Sequence, residues 1–126
     1  KKDIKHISSA KEVFDLLSER FSNEKQETFL ILMLNSKHYV IGIEEISKGI
    51  LDSAIVHPRE IFRHAIKNSA SKIVLAHNHP SGDPQPSEED KTITQRLIEA
   101  GELLGIPVLD HVIIGKDTYC SFNKKD

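Results

Sequence analysis

Residues 72–90 read KIVLAHNHPSGDPQPSEED, and the change of pattern within this stretch decides the fold. The first part, KIVLAHNH (72–79), is a mostly apolar run of strand length, and it gives way at 80–86 to a loop with three prolines and a glycine. Ser87 then starts a helix, in which Ile93, Thr94, Leu97, Gly101 and Leu104 recur at helical spacing to about residue 104. VLDHVIIG (108–115) reads as the next strand. A strand, a helix and a strand in succession point to a layered α/β sheet.

Working outward from that unit, TFLILML (28–34) is apolar at nearly every position, which suits a strand covered on both faces. Residues 35–37 make a turn into a second strand at 39–46, so these two form a hairpin. After Lys48-Gly49, a short segment (50–56) leads to Pro58, a favoured first residue of a helix. Ile61, Phe62, Ala65 and Ile66 supply that helix with an apolar stripe, and it should stop near residue 70. At the other end of the chain, Ser9 and Glu12 have capping-box spacing, and Val13, Leu16 and Leu17 follow at helical intervals, predicting a first helix over 9–21. Residues 119–122 supply a last short strand. The expectation is a single α/β domain over residues 1–126, with a mixed β-sheet flanked by helices.

A chain of 126 residues can bury a core without a disulfide or structural metal, so a metal bound here would serve function rather than folding. Its 17 basic and 19 acidic residues leave a formal charge of −2, which argues against strong direct nucleic-acid binding by the domain alone. Cys120 is the only cysteine, and there is neither a signal-peptide pattern nor an apolar run of about 20 residues, so a cytoplasmic protein without membrane attachment is expected.

Side chains alternate along a strand, so His77 and His79 share the face of Ile73 and Leu75 and emerge together where the strand opens into its loop. The following helix begins with three acids, Glu88, Glu89 and Asp90, which point in different directions at 100° per residue. Only Asp90 falls on the inward stripe. A helix N-terminus favours an acid there, and a cation favours it more. Two imidazoles and one carboxylate leave a fourth tetrahedral position open, as in catalytic rather than structural zinc sites. Taken singly, these residues would be hydrogen-bonded core histidines and a first-turn acid; together they are candidates for a metal site. Asp83, in the loop, competes as third ligand. Two look-alikes fail: the letters His77-Asn78-His79 are not the dispersed HNH nuclease motif, and Ser81 stands where a binuclear site of the metallo-β-lactamase type needs an aspartate.

HNHPSGDPQPSEED (77–90) contains His-x-His-Pro, six residues, then Ser-x-x-Asp. This resembles the JAMM motif of JAB1/MPN-domain metalloproteases. With HPREIF (57–62) and LDHVIIG (109–115), it is similar to the C-terminal domain of the RadC family, a bacterial branch bearing a DNA-repair label; the likeness runs from about Glu27 to Phe122. The resemblance implies a JAB1/MPN, cytidine-deaminase-like fold and a Zn²⁺ held by His77, His79 and Asp90. It also implies Glu27 as general base and Ser87 as a residue that stabilises the oxyanion, in a peptidase or isopeptidase acting on a peptide or protein. Glu24, Glu44, Glu45 and Glu60 stay open as alternatives for the base. Asn78 departs from eukaryotic deubiquitinating members, which carry a small hydroxyl residue there, and this counts against a ubiquitin-type substrate. The family's N-terminal helix-hairpin-helix segment leaves no trace here, so the chain is expected to be the catalytic-type portion of a longer protein. Association with DNA repair machinery is implied by the family label. The rival readings are a non-catalytic scaffold and a metal-dependent nuclease. Asp110 and His111, side by side on the later strand, are candidates for orienting a ligand imidazole from behind.

Overall fold

A computed structural model of the chain describes residues 5–49, 51–52 and 54–123. The elements are α1 (Ala10–Phe21), β1 (Thr28–Leu34), β2 (Val40–Lys48), α2 (Pro58–Lys67), β3 (Lys72–Asn78), α3 (Glu88–Leu104), β4 (Val108–Ile114) and β5 (Tyr119–Ser121). The strands form one five-stranded mixed sheet in the order β2-β1-β3-β4-β5. β3 and β4 run parallel, and the other neighbouring pairs are antiparallel. Parallel neighbours cannot be joined by a tight turn, so α3 carries the chain between them and begins beyond the C-terminal end of β3.

β1 is buried along its whole length because the sheet is covered on both faces, as its unbroken apolar sequence predicts. Phe29, Ile31, Met33, Ile73 and Leu75 pack against Ile61 and Phe62 of α2 and Ile93 and Leu97 of α3. On the opposite face, Leu30, Leu32, Leu34, Val74 and Ala76 meet Val13, Leu17 and Phe21 of α1. A fully buried Leu, Ile or Phe contributes roughly 1.5–3 kcal/mol, so the two clusters supply much of the fold's stabilisation. Among the described residues no helix is long and apolar enough to cross a membrane.

Three local expectations need correction. In the first helix, Ser9 Oγ accepts the Glu12 N–H, but the Glu12 carboxylate reaches back to Ser8 rather than Ser9, at 2.6 Å, so the capping box closes one residue early. Ile66 is 59% exposed. It sits about 90° from the centre of the arc set by Ile61, Phe62 and Ala65, at the margin of the buried stripe. Leu104 is in phase with the α3 stripe but 49% exposed, because it is the last helical residue before the chain turns away at Gly105 with φ 76°. Of the short segment at 50–56, Ile50 and Ser53 lie outside the described residues.

Gly101 is required by packing. A Cβ there would overlap the Ile106 carbonyl oxygen and press on the Phe62 ring, so the missing side chain lets α3 settle beside α2 and the turn into β4.

Candidate metal centre

β3 and the first turn of α3 bring the site together. His77 lies on β3 facing the α2/α3 side, with its ring 5.9 Å from that of Phe29, its partner in the β1 register. β3 ends at Asn78, so His79 is the first loop residue rather than the last strand residue. Its backbone N–H still donates to the Ile114 carbonyl on β4, at 2.9 Å, which keeps it in line with the ladder. Asp90 is the third residue of α3 and shares a complete capping box with Ser87. The Ser87 N–H donates to Asp90 Oδ2 at 2.8 Å, and the Asp90 N–H donates to Ser87 Oγ at 3.0 Å. A helix cap thus fixes the inward acid.

One ligand atom from each of His77, His79 and Asp90 lies within 4.8 Å of the other two. His79 Nε2 is 3.1 Å from Asp90 Oδ2, and His77 Nε2 is 3.3 Å from Asp90 Oδ1. The other nitrogen of His79, Nδ1, donates to the Asp83 carbonyl at 2.9 Å, which turns Nε2 toward Asp90. His77 Nε2 is buried, and although Asp90 Oδ1 is 3.3 Å away it is not aligned to form a hydrogen bond with it. A buried, unpartnered imidazole nitrogen converging with a second imidazole and a carboxylate is a donor set that fits a divalent cation, and two nitrogens with one carboxylate suit zinc. Asp83 therefore serves through its carbonyl; its carboxylate accepts the Gln85 N–H at 3.0 Å.

The electrostatics match. Burial pushes the Asp90 carboxyl up, but the two imidazoles and the Ser87 N–H outweigh it and hold the group well below the usual carboxylate range. His79 is raised above the ordinary imidazole value, first by its hydrogen bond to Asp90, against the opposing effect of burial.

Behind the ligands, His111 is wholly buried, and desolvation, followed by the neighbouring His77, holds it well below its usual value. Its Nε2 lies 2.8 Å from His77 Nδ1. Of the adjacent pair on β4, His111 is thus the residue that reaches a candidate ligand, His77. The Asp110 carboxylate turns away and accepts hydrogen bonds from Ser121 Oγ and the Asn123 N–H.

The whole arrangement sits in a known sequence family. Residues 7–126 match the RadC-like JAB domain. The chain belongs to that family. It is 58% identical over 119 residues to a UPF0758 protein of Alkaliphilus metalliredigens, covering 94% of this chain and 51% of that protein. A UPF0758 protein of Symbiobacterium thermophilum is 46% identical over 119 residues, covering 94% and 51% of the two chains. One from Clostridium botulinum is 48% identical over 124 residues, covering 98% and 54%. The chain spans about half the length of the curated relatives it matches.

In this RadC-like JAB domain, the expected oxyanion residue Ser87 shares the capping box with the candidate ligand Asp90, and the expected base Glu27 precedes β1. Extending the Phe29↔His77 register by two residues sets Glu27 opposite His79, on the face that carries both histidines. Glu27 Oε1 accepts the Leu51 N–H at 3.1 Å, and its charge is among those that raise His79. The rival glutamates have other partners or face solvent, and Glu24 lines the same hollow as His79. Glu24 pairs with Lys48 at 3.0 Å, Glu60 with Arg63 at 2.9 Å, Glu44 lies 3.9 Å from His64, and Glu45 is exposed. Ser87 Oγ accepts from the backbone as an N-cap and keeps its own hydrogen to donate.

Two contributors escaped the sequence reading. Thr94, one turn beyond Asp90, places Oγ1 2.6 Å from His111 Nδ1, a relation its i+4 spacing from a candidate ligand could have suggested. Asn78 holds the start of β1, a pairing across 50 residues that left no local signal. Two hollows of about 730 and 600 Å³ open on the α1 side of the sheet; neither is lined by His77 or Asp90, and only the second touches His79.

Proposed function

We propose that this domain is a zinc-dependent metallohydrolase of the JAMM type that cuts an amide or isopeptide bond in a peptide or protein substrate. The observation that carries the reading is the buried, unpartnered Nε2 of His77, converging with His79 Nε2 and the Asp90 carboxylate. His77, His79 and Asp90 hold the metal. A zinc ion bound there supplies charge that polarises a carbonyl oxygen and acidifies water. Glu27 accepts the proton of the attacking water at its carboxylate and passes it to the leaving amine. The Ser87 hydroxyl donates to the oxyanion while its oxygen still caps α3.

Membership of the RadC-like JAB family supports a hydrolase of this kind, and the DNA-repair label carried by the sequence resemblance is the ground for proposing an association with DNA repair machinery. With a formal charge of −2, that association runs through a protein partner rather than through a direct hold on DNA. The test is metal analysis of protein purified without an affinity tag, alongside hydrolysis of a peptide library. One zinc per chain, with cleavage abolished in His77→Ala, is the expected result. A wild-type protein that neither carries nor acquires metal would be a scaffold, and DNA cleavage lost in His77→Ala would make it a nuclease.

A further inference from the structure

A hydrogen-bonded circuit runs from one candidate ligand to another through α3 and β4. Thr94 Oγ1 donates to the Asp90 carbonyl at 2.7 Å and lies 2.6 Å from His111 Nδ1. His111 Nε2 lies 2.8 Å from His77 Nδ1. Asp90, Thr94, His111 and His77 are all buried. The His111 ring is held in plane, stacked on Phe122 with centroids 4.8 Å apart and an interplanar angle of 9°, and it meets Phe29 edge-on at 5.7 Å.

With both imidazoles neutral, as metal binding at His77 requires, counting protons along this circuit leaves one solution. A carbonyl oxygen only accepts, so the Thr94 hydroxyl hydrogen points to Asp90, and toward His111 the hydroxyl can only accept. His111 therefore carries its proton on Nδ1. Its ring is fully buried between a hydroxyl, an imidazole and two phenyl rings, so it is neutral and its Nε2 is a bare acceptor. The proton of the 2.8 Å contact then belongs to His77 Nδ1. His77 Nε2 is left with its lone pair directed toward Asp90 Oδ1.

We propose that Thr94 and His111 are positioning residues that fix which nitrogen of His77 carries its proton, and so reserve His77 Nε2 for the metal. The inference rests on the metal-binding reading of His77. Starting the relay at the Asp90 carbonyl also ties the ligand from α3 to the one from β3, so the two move as a unit.

The test follows His111 and zinc together. Long-range ¹H–¹⁵N spectra of the imidazoles, recorded metal-free and zinc-loaded, should show His111 protonated on Nδ1 and bare at Nε2. Thr94→Val removes the acceptor, so His111 should shift its proton to Nε2 and zinc affinity should fall about tenfold to hundredfold. Thr94→Ser, which restores the hydroxyl, should recover both the tautomer and the affinity, and His111→Leu, which offers no acceptor, serves as an independent break if Thr94→Val does not fold. A wild-type His111 protonated on Nε2 would overturn the proposal, as would a folded Thr94→Val or His111→Leu variant with unchanged zinc affinity. Wild-type protein that shows the expected His111 tautomer but acquires no zinc would instead sink the metal reading and leave the tautomer assignment standing.

Discussion

The Asn78 side-chain carbonyl accepts the Thr28 N–H at 2.7 Å, tying the end of β3 to the first residue of β1. The same amide donates to the Gln26 carbonyl at 3.1 Å, so Asn78 grips the backbone on both sides of Glu27. Because side chains alternate, it does so from the sheet face opposite His77 and His79. Asn78→Leu keeps the volume and removes both bonds, leaving backbone groups without partners. Unfolding in denaturant should show a loss of about 1–3 kcal/mol. Hydrolysis should fall while zinc content stays at the wild-type level, because Glu27 and not the ligand set loses its support; equal loss of metal would refute this division of labour.

Glu27 itself is not among the side chains whose ligand atoms lie within 4.8 Å of one another. Glu27→Gln should therefore leave zinc stoichiometry unchanged and lower kcat by about 10²–10⁴-fold, the contribution of a positioned base. Peptidase activity that survives the change would assign the proton transfer to another group.

Zinc binding should weaken in acid. In the metal-free domain His79 is raised above 6.5 by Asp90, and zinc has to displace that proton, so affinity should drop about tenfold per pH unit below the His79 pKa. Stability of the chelator-treated domain follows the signs of the two shifts. The folded pKa of Asp90 is depressed, so its contribution is present above 3.8 and is lost as pH falls through the folded value. That of His79 is raised, so its contribution is full below 6.5 and is lost as pH rises through the folded value. Thermal unfolding against pH without metal should show a maximum between these limits, and a flat profile would contradict the pairing.

Gly115 sits where the loop after β3 crosses the end of β4. A Cβ there would overlap the Gly82 carbonyl oxygen and crowd Pro84. Asp83, between them, holds the His79 ring through its carbonyl. Gly115→Ala should cost about 1–3 kcal/mol of stability by overpacking, and should lower zinc affinity by displacing that carbonyl. Unchanged affinity in a folded variant would show that the loop does not set the His79 ring.

Much of this was legible in residues 72–90. Alternation placed His77 and His79 on one face, and the helical period singled out Asp90 from its two acidic neighbours, because strand and helix periods convert spacing directly into direction. Asp83 could not be ranked the same way. It lies in a proline-rich loop, where no period applies, and only the folded loop showed its carbonyl rather than its carboxylate in use.

The sequence by itself determined the order of strands and helices, the all-buried β1 and the three residues proposed to hold a metal, since each depends on local periodicity and burial pattern. Only the tertiary structure decided that β4 lies beside β3, with His111 rather than Asp110 turned to His77, and that Asn78 fastens the chain around Glu27. Those relations join residues 34 and 50 positions apart. They follow from sheet order and register, which are settled by how both faces of the whole sheet pack and leave no trace in any short stretch.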